Sequence, residues 1–560
     1  MTTRATAPLG AALVSLLLAS ASAAHAQAAP PQGPPSPPFA APVATDKGQV
    51  QGYSGIEPGV VAFLGIPFGA APVGELRWKA PQPVEPWQGV RDGKHFKPAC
   101  IQASGLPRYK NAAVDLAESP PASEDCLYLN VWTGAAAAGE KRPVMLWLYG
   151  GAYTDGGGNS PYQRGDHLAA NGAVVVSMNY RLGGLGFLVH PDLAKESGHD
   201  ASGNYALADT IAVMKWIKAN IAQFGGDPDN VTVFGQSAGA AIAGGLLGAP
   251  QAAGLFHRAI PQSGGYMALG IGQMVSRAAA EKQTADALAK IGNPTLAQLR
   301  AMPAAEVFAK LRGSGMVVDG WIIPQDVSLA IAQGTQNKVD ILAGSNGNEG
   351  GFLGGFGPPM TAAVWNSGAA QRWGDLAPLG QAAYPAASDD EAKAVSSMPF
   401  SDAMAWQARL MAEDQAKAGK QGWFYHFTNR PHYAPGQPDI GTTHAGEVAY
   451  VFGTLDEERL FPDGSSRKLN ERDPAQWAFS DQVMKYWVNF ARTGNPNGDG
   501  LPKWPSVAEA PDGEGMLLTS AGSAPGSWTT PAKLDLYSGQ YARDVVKPLK
   551  LKRKAGLDGR

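Results

Sequence analysis

Gly235-Gln236-Ser237-Ala238-Gly239 sets a serine between two glycines, where an apolar β-prone run (Val231 to Phe234) meets a helix-prone stretch of small residues, Ala240 to Leu247. A serine hydroxyl becomes a useful nucleophile only when a neighbouring base takes its proton, so the chemistry on offer is acyl transfer. A G-x-S-x-G run at a strand–turn–helix junction is the geometry that lifts such a serine clear of a sheet. Glycine on either side leaves room for a strained backbone. The N–H of Ala238 then opens a helix and points where an oxyanion would form. In a chain with 70 glycines the same five residues also describe an ordinary Gly/Ser loop. The flanking strand and helix favour the catalytic reading.

Such a serine needs a base and an orienting acid, which follow it in the order Ser, Asp/Glu, His in this arrangement. Of nine histidines, His25 leaves with an expected leader, and His95, His167, His190, His199 and His257 precede the acid or the serine itself. Three remain. His426 lies within the strand-like Phe424 to Phe427, where a packed ring is the simpler reading. His432, in Arg430-Pro431-His432-Tyr433, suits a surface loop. His444 sits in the loop directly before the apolar Val448 to Phe452, a position that can reach the top of a sheet, and is the favoured base. For the acid, Glu349 follows the strand-like Val339 to Ala343, with Gly347 and Gly350 nearby to let the chain bend. Asp319 competes, but Asp319-Gly320 after two valines reads as a turn. Glu447 stands too near His444 in sequence to orient it, and is taken as a buried structural carboxylate.

The elements that must position these residues are legible in outline. Arg4, the apolar Leu9 to Ala19 and the small-x-small Ala24-His25-Ala26 read as a signal peptide over 1–26, so export to the periplasm or medium is expected. Residues 27–42 are a Pro/Ala-rich linker, 43–548 the globular part and 549–560 a basic, solvated tail. Val144 to Leu148 and Val174 to Ser177 are continuous runs suited to strands buried on both faces. Between the second of these and the elbow, Leu207, Ile211, Met214, Ile217, Ile221 and Phe224 recur at helical spacing. Strand, helix, strand at this length predicts a βαβ crossover and an α/β fold with a largely parallel sheet. Residues 361–419, Ala- and Met-rich, read as a helical insertion. The net charge of -3 argues against nucleic acid as a partner, and no later run is long and apolar enough for a membrane anchor. Cys100 and Cys126 are the only two cysteines. They could be one disulfide or two buried thiols; no ligand-spaced His or Cys accompanies them, so no metal is expected.

Further motifs run in order along the chain: Phe-Leu-Gly-Ile-Pro-Phe at 63–68, Glu-Asp-Cys-Leu-Tyr-Leu-Asn-Val-Trp at 124–132, Asn179-Tyr180-Arg181-Leu182 with Gly186-Phe187, Phe224-Gly225-Gly226-Asp227-Pro228, Phe256-His257-Arg258-Ala259-Ile260 and Thr493-Gly494-Asn495-Pro496-Asn497. With the elbow, they make the chain from about Val43 to Tyr537 resemble the type-B carboxylesterase and cholinesterase group of α/β-hydrolases, including its bacterial para-nitrobenzyl esterases. The resemblance implies one large α/β-hydrolase domain with helical insertions, no cofactor, and a small-molecule ester as substrate. It implies Ser237 as nucleophile, Glu349 as acid and His444 as base, an oxyanion hole of the Gly150, Gly151 and Ala238 N–H groups, a buried Ser263 hydroxyl behind the triad, and a Cys100–Cys126 disulfide. An amidase, carbamate hydrolase or thioesterase would use the same residues; a non-catalytic binding relative would have lost one of the three. Two positions depart from the usual pattern. Tyr149 replaces the histidine before the Gly-Gly pair, which bears on loop rigidity. Gln236 replaces the glutamate beside the nucleophile and removes a charge there. Tyr153, Trp321, Phe352 and Phe356 are candidates for an apolar acyl pocket, and the Asn230-Val231-Thr232 sequon is expected to be irrelevant inside a strand.

Overall fold

Val144–Leu148 and Val174–Met178 offer almost no polar face to water, so they are stable only inside a sheet covered on both sides. The computed structural model of the chain places them there. It describes residues 39–102, 120–265, 274–353, 360–436, 441–457 and 473–548, with short pieces at 459–460, 466–467 and 469. The expected signal peptide, nearly all of the linker and the basic tail lie outside the described residues.

The main sheet has eleven strands. In chain order they are β1 (Tyr53–Ser54), β2 (Val61–Pro67), β3 (Tyr128–Thr133), β4 (Arg142–Leu148), β5 (Val174–Met178) and β6 (Gly226–Gln236). Then come β7 (Arg258–Gln262), β8 (Asp340–Asn346), β9 (Gly422–Phe427), β10 (Glu514–Leu518) and β11 (Ala524–Ser527). Across the sheet the order is β11-β10-β9-β8-β7-β6-β4-β5-β3-β2-β1. From β10 to β5 every neighbouring pair is parallel, while β11 at one edge and β3, β2 and β1 at the other pair antiparallel. This is the α/β-hydrolase arrangement, a mostly parallel sheet flanked by helices.

Between β5 and β6 the chain forms α1 (Tyr205–Asn220), and Ile221–Phe224 tightens into a 3-10 turn. All six of the periodic apolar residues from Leu207 to Phe224 are buried. Gly225 then reverses the chain at φ 81°, in the left-handed region that glycine enters without a Cβ clash. The loop leaving β5 is tied to α1 by Arg181, which forks onto Asp209 with Nη2–Oδ1 2.7 Å and Nε–Oδ2 3.0 Å. Neither side chain reaches solvent to any extent, so removing one partner strands a buried charge and costs about 3–5 kcal/mol.

Strand β4 lies between β5 and β6, so the chain leaves β4 toward one side and returns on the other. A crevice opens at the carboxyl ends of strands where the order reverses in this way. Tyr149 to Gly151 leave β4 there, and Ser237 follows β6 there. The helical insertion forms as a series of helices ending in α2 (Met398–Lys417), which packs against β8 and β9. Among the described residues no helix is long and apolar enough to cross a membrane.

Cys100 and Cys126 are joined in a disulfide across 26 residues of sequence. Because the bridge acts mainly on the unfolded chain, Cys126→Ser is expected to lower unfolding free energy by about 3 kcal/mol in the chain-entropy view. A denaturant titration reads this directly; a midpoint unchanged from the parent would contradict it.

Candidate active site

The elbow is built from close backbone contacts. Ser237 holds φ 55°, ψ -121°, a conformation costly for any L-residue and found where the surroundings enforce it. A β-carbon on Gly239 would come within 2.0 Å of the Leu148 carbonyl oxygen, and one on Gly235 within 2.7 Å. The two glycines therefore let β4 and β6 close on the turn. The Ser237 N–H donates to Gln262 O at 2.9 Å, tying the turn to β7. Ala238 opens α3 (Ala238–Leu247), a helix of small residues buried throughout, so its N–H is a first-turn donor with no partner within the helix.

Glu349 begins a 3-10 turn three residues beyond β8. Its carboxylate is fully buried. Oε1 accepts from Ser263 Oγ at 2.5 Å and from the Asn346 N–H at 2.6 Å; Oε2 meets His444 Nδ1 at 2.5 Å. The His444 loop reaches Glu349 because Asn348 N donates to Thr442 O at 3.0 Å and Asn346 Nδ2 to Thr443 O at 2.8 Å. His444 keeps 17% of its side chain exposed. Its Nε2 lies 3.1 Å from the amide nitrogen of Gln236, next to the elbow serine. The structure thus brings Glu349, His444, Ser263 and Gln236 together at the carboxyl ends of β6 to β9.

The loop after β4 presses on the elbow. A β-carbon on Gly150 would meet Gln236 Oε1 at 2.6 Å and Ser237 Cβ at 3.0 Å. Gly151, at φ 117°, turns the chain so that the Thr154 and Asp155 N–H groups bond back to its carbonyl. Tyr149 rigidifies this loop without a histidine. Its ring stacks on Tyr180 with centroids 4.1 Å apart. Its hydroxyl donates to Tyr180 O at 2.8 Å, and the Tyr180 hydroxyl donates back to Tyr149 O at 2.6 Å. Burial holds both phenols well above their usual pKa. Downstream, Asn130 Nδ2 donates to Gly158 O, and the Gly158 N–H donates to Asn179 Oδ1. Gln102 bonds both the N–H and the carbonyl of Gly156.

Other candidates fall elsewhere. His426 is buried on β9, where burial pulls its pKa to about 4, and His432 is exposed and pairs with Asp473. Asp319 accepts from the Trp321 and Ile323 N–H groups, which is a turn. Glu447 is buried and accepts from Gln262 and Asn346 side chains at 3.1 and 2.6 Å; burial, then the charge of Glu349, raises its pKa. Trp321 stacks on His199 at 3.7 Å and is 42% exposed, at a cavity of about 370 Å³ that it shares with Trp78, Tyr205 and Asp319. The turn at Asp319 aims it outward. Tyr153, two residues past Gly151, packs on Phe187 at 4.9 Å. Phe356 and the Phe352 side chain lie outside the described residues. Asn230 of the sequon donates to Arg492 O within the fold. Gln102, Asn130, Asn179 and Tyr180 were not assigned site roles from sequence, although three of the four lie in or beside motifs that could have flagged them.

A family model described as the carboxylesterase family matches residues 40–368 and 381–526. The chain belongs to that family. This carboxylesterase is 36% identical over 501 residues to a fumonisin B1 esterase of Sphingopyxis macrogoltabida, covering 87% of this chain and 88% of that one. It is 33% identical over 491 residues to the para-nitrobenzyl esterase of Bacillus subtilis, covering 83% and 92%. Among solved structures, a PNB esterase superposes with TM-score 0.72 at 29% identity, over 89% of this chain and 99% of the other. A Geobacillus stearothermophilus carboxylesterase gives TM-score 0.72 at 30% identity with the same coverage. As a carboxylesterase the protein is a carboxylic ester hydrolase of the para-nitrobenzyl esterase kind.

Proposed function

We propose that this carboxylesterase works through an acyl-enzyme formed on Ser237, with His444 as general base and Glu349 as its orienting acid. The observation that carries the reading is the 2.5 Å contact between His444 Nδ1 and the buried Glu349 carboxylate, made beside the strained serine turn. A carboxylate can only accept, so this contact puts the imidazole proton on Nδ1 and leaves Nε2 to act as base. His444 takes the Ser237 proton as Oγ attacks the ester carbonyl, and the imidazolium that forms is held by Glu349. The Gly150, Gly151 and Ala238 N–H groups stabilise the oxyanion; one such donor contributes about 3 kcal/mol to barrier lowering. His444 returns the proton to the leaving alcohol, and water deacylates the serine by the same route.

The test is covalent. A fluorophosphonate ester should add one phosphonyl group per chain, on the peptide containing Ser237, and activity toward a p-nitrophenyl ester should fall in step with labelling. Labelling at another residue, or full activity after labelling, would end the assignment. Para-nitrobenzyl esters, named for a relative, are natural first substrates. The reading includes export to an oxidising compartment, which the disulfide supports.

A further inference from the structure

We propose that Gln236 is a positioning residue that keeps His444 a neutral base by donating to the ring nitrogen that must take the serine proton. The inference rests on the triad reading above and adds a residue to it. Gln236 ends β6, where its backbone is held in register with Gln262 of β7. It is 5% exposed, and its side chain runs beneath Gly150. That leaves its amide nitrogen 3.1 Å from His444 Nε2.

An amide nitrogen has donors and no acceptor, so this contact is favourable only when Nε2 carries its lone pair. Nδ1 faces a carboxylate and carries the proton. Neutral His444 in that tautomer satisfies both contacts. A ring protonated on both nitrogens would set N–H against N–H at Gln236, so the amide favours the base form. It holds the lone pair until the Ser237 hydroxyl takes it over. A glutamate at 236, usual in the chains this one resembles, would do the reverse. It offers an acceptor and a negative charge, and so favours the imidazolium.

The other ionisable groups that face this pair come from several elements. Glu349 lies at Nδ1. Glu447, three residues on, is turned to Gln262 and Asn346. Tyr425 and His426 on β9 sit within electrostatic reach of Glu349. Asp402 of α2 faces His426 and pairs with Lys533. The described neighbour at Nε2 is Gln236, whose donor favours the lone pair there.

The experiment is the pH profile of kcat/KM for p-nitrophenyl acetate in the parent, Gln236→Met and Gln236→Glu, together with the pH dependence of the fluorophosphonate labelling rate. The acid limb should lie lowest in the parent. It should rise by about half a pH unit when methionine removes the donor, and by about one unit or more when glutamate supplies a charge. Coincident limbs in all three proteins would overturn the proposal. So would a methionine limb at the parent position with only the glutamate limb raised, because any added charge would do that. A merely structural role would change the plateau and leave the limb in place. Labelling separates the two claims. If Ser237 is not labelled in the parent, the triad reading has failed; if it is labelled and the limbs coincide, only the role of Gln236 has.

Discussion

Ser237→Ala is expected to lower kcat toward p-nitrophenyl acetate by about a million-fold while the protein stays folded. The backbone bonds of the elbow, Ser237 N to Gln262 O and Ala241 N to Ser237 O, do not involve the hydroxyl. Alanine bears the strained φ and ψ no worse than serine, so the melting temperature should shift little. On the proposed mechanism, what is lost is the oxygen that forms the acyl bond; the residual rate would come from the donors around it and from substrate binding. Thermal melts and single-substrate kinetics on the same preparations check both halves. Turnover within tenfold of the parent would mean that some other group carries the reaction.

Glu349→Gln should cost about 10⁴ in kcat with a smaller effect on KM. A glutamine amide can donate toward His444 Nδ1, which would move the ring proton to Nε2 and point the wrong tautomer at Ser237. The same change weakens the acceptor that Ser263 Oγ and the Asn346 N–H share at Oε1. Because the buried carboxylate is replaced by a neutral group of the same shape, folding should survive. Slow fluorophosphonate labelling at an intact Ser237 would show that the nucleophile is present and its activation is gone. Labelling at the parent rate would remove Glu349 from the mechanism.

How much could be read beforehand differs by residue. The elbow was legible because its requirement is local: glycines at 235 and 239 are needed within one turn, where the backbone of β4 comes against it. The strands β4, β5, β6, β8 and β9 were legible because strands buried on both faces are dominated by continuous apolar runs. The choice of His444 over His426 and His432 was favoured by pattern but not decided by it. It depends on how the loop between β9 and its next helix lies against Asn346 and Asn348, which periodicity does not encode. Trp321 shows how a single turn decides which way a side chain points. The residue types around it do not encode its direction, which the Asp319 turn sets, leaving it partly exposed against His199. The Tyr149–Tyr180 lock was invisible for a third reason, since each ring makes sense only with the other in view.

That lock has a consequence for anyone altering the protein. Each phenol terminates on the other's main chain, so the Gly-Gly loop after one strand and the loop leaving its neighbour are bound to each other. Exchanging Tyr149 for histidine would leave the Tyr180 hydroxyl on the carbonyl of residue 149, but would lose the stacked ring and the bond to the Tyr180 carbonyl. A library that diversifies one loop while freezing the other would lose one half of the lock, the stack and the Tyr149 hydroxyl bond, in most of its members.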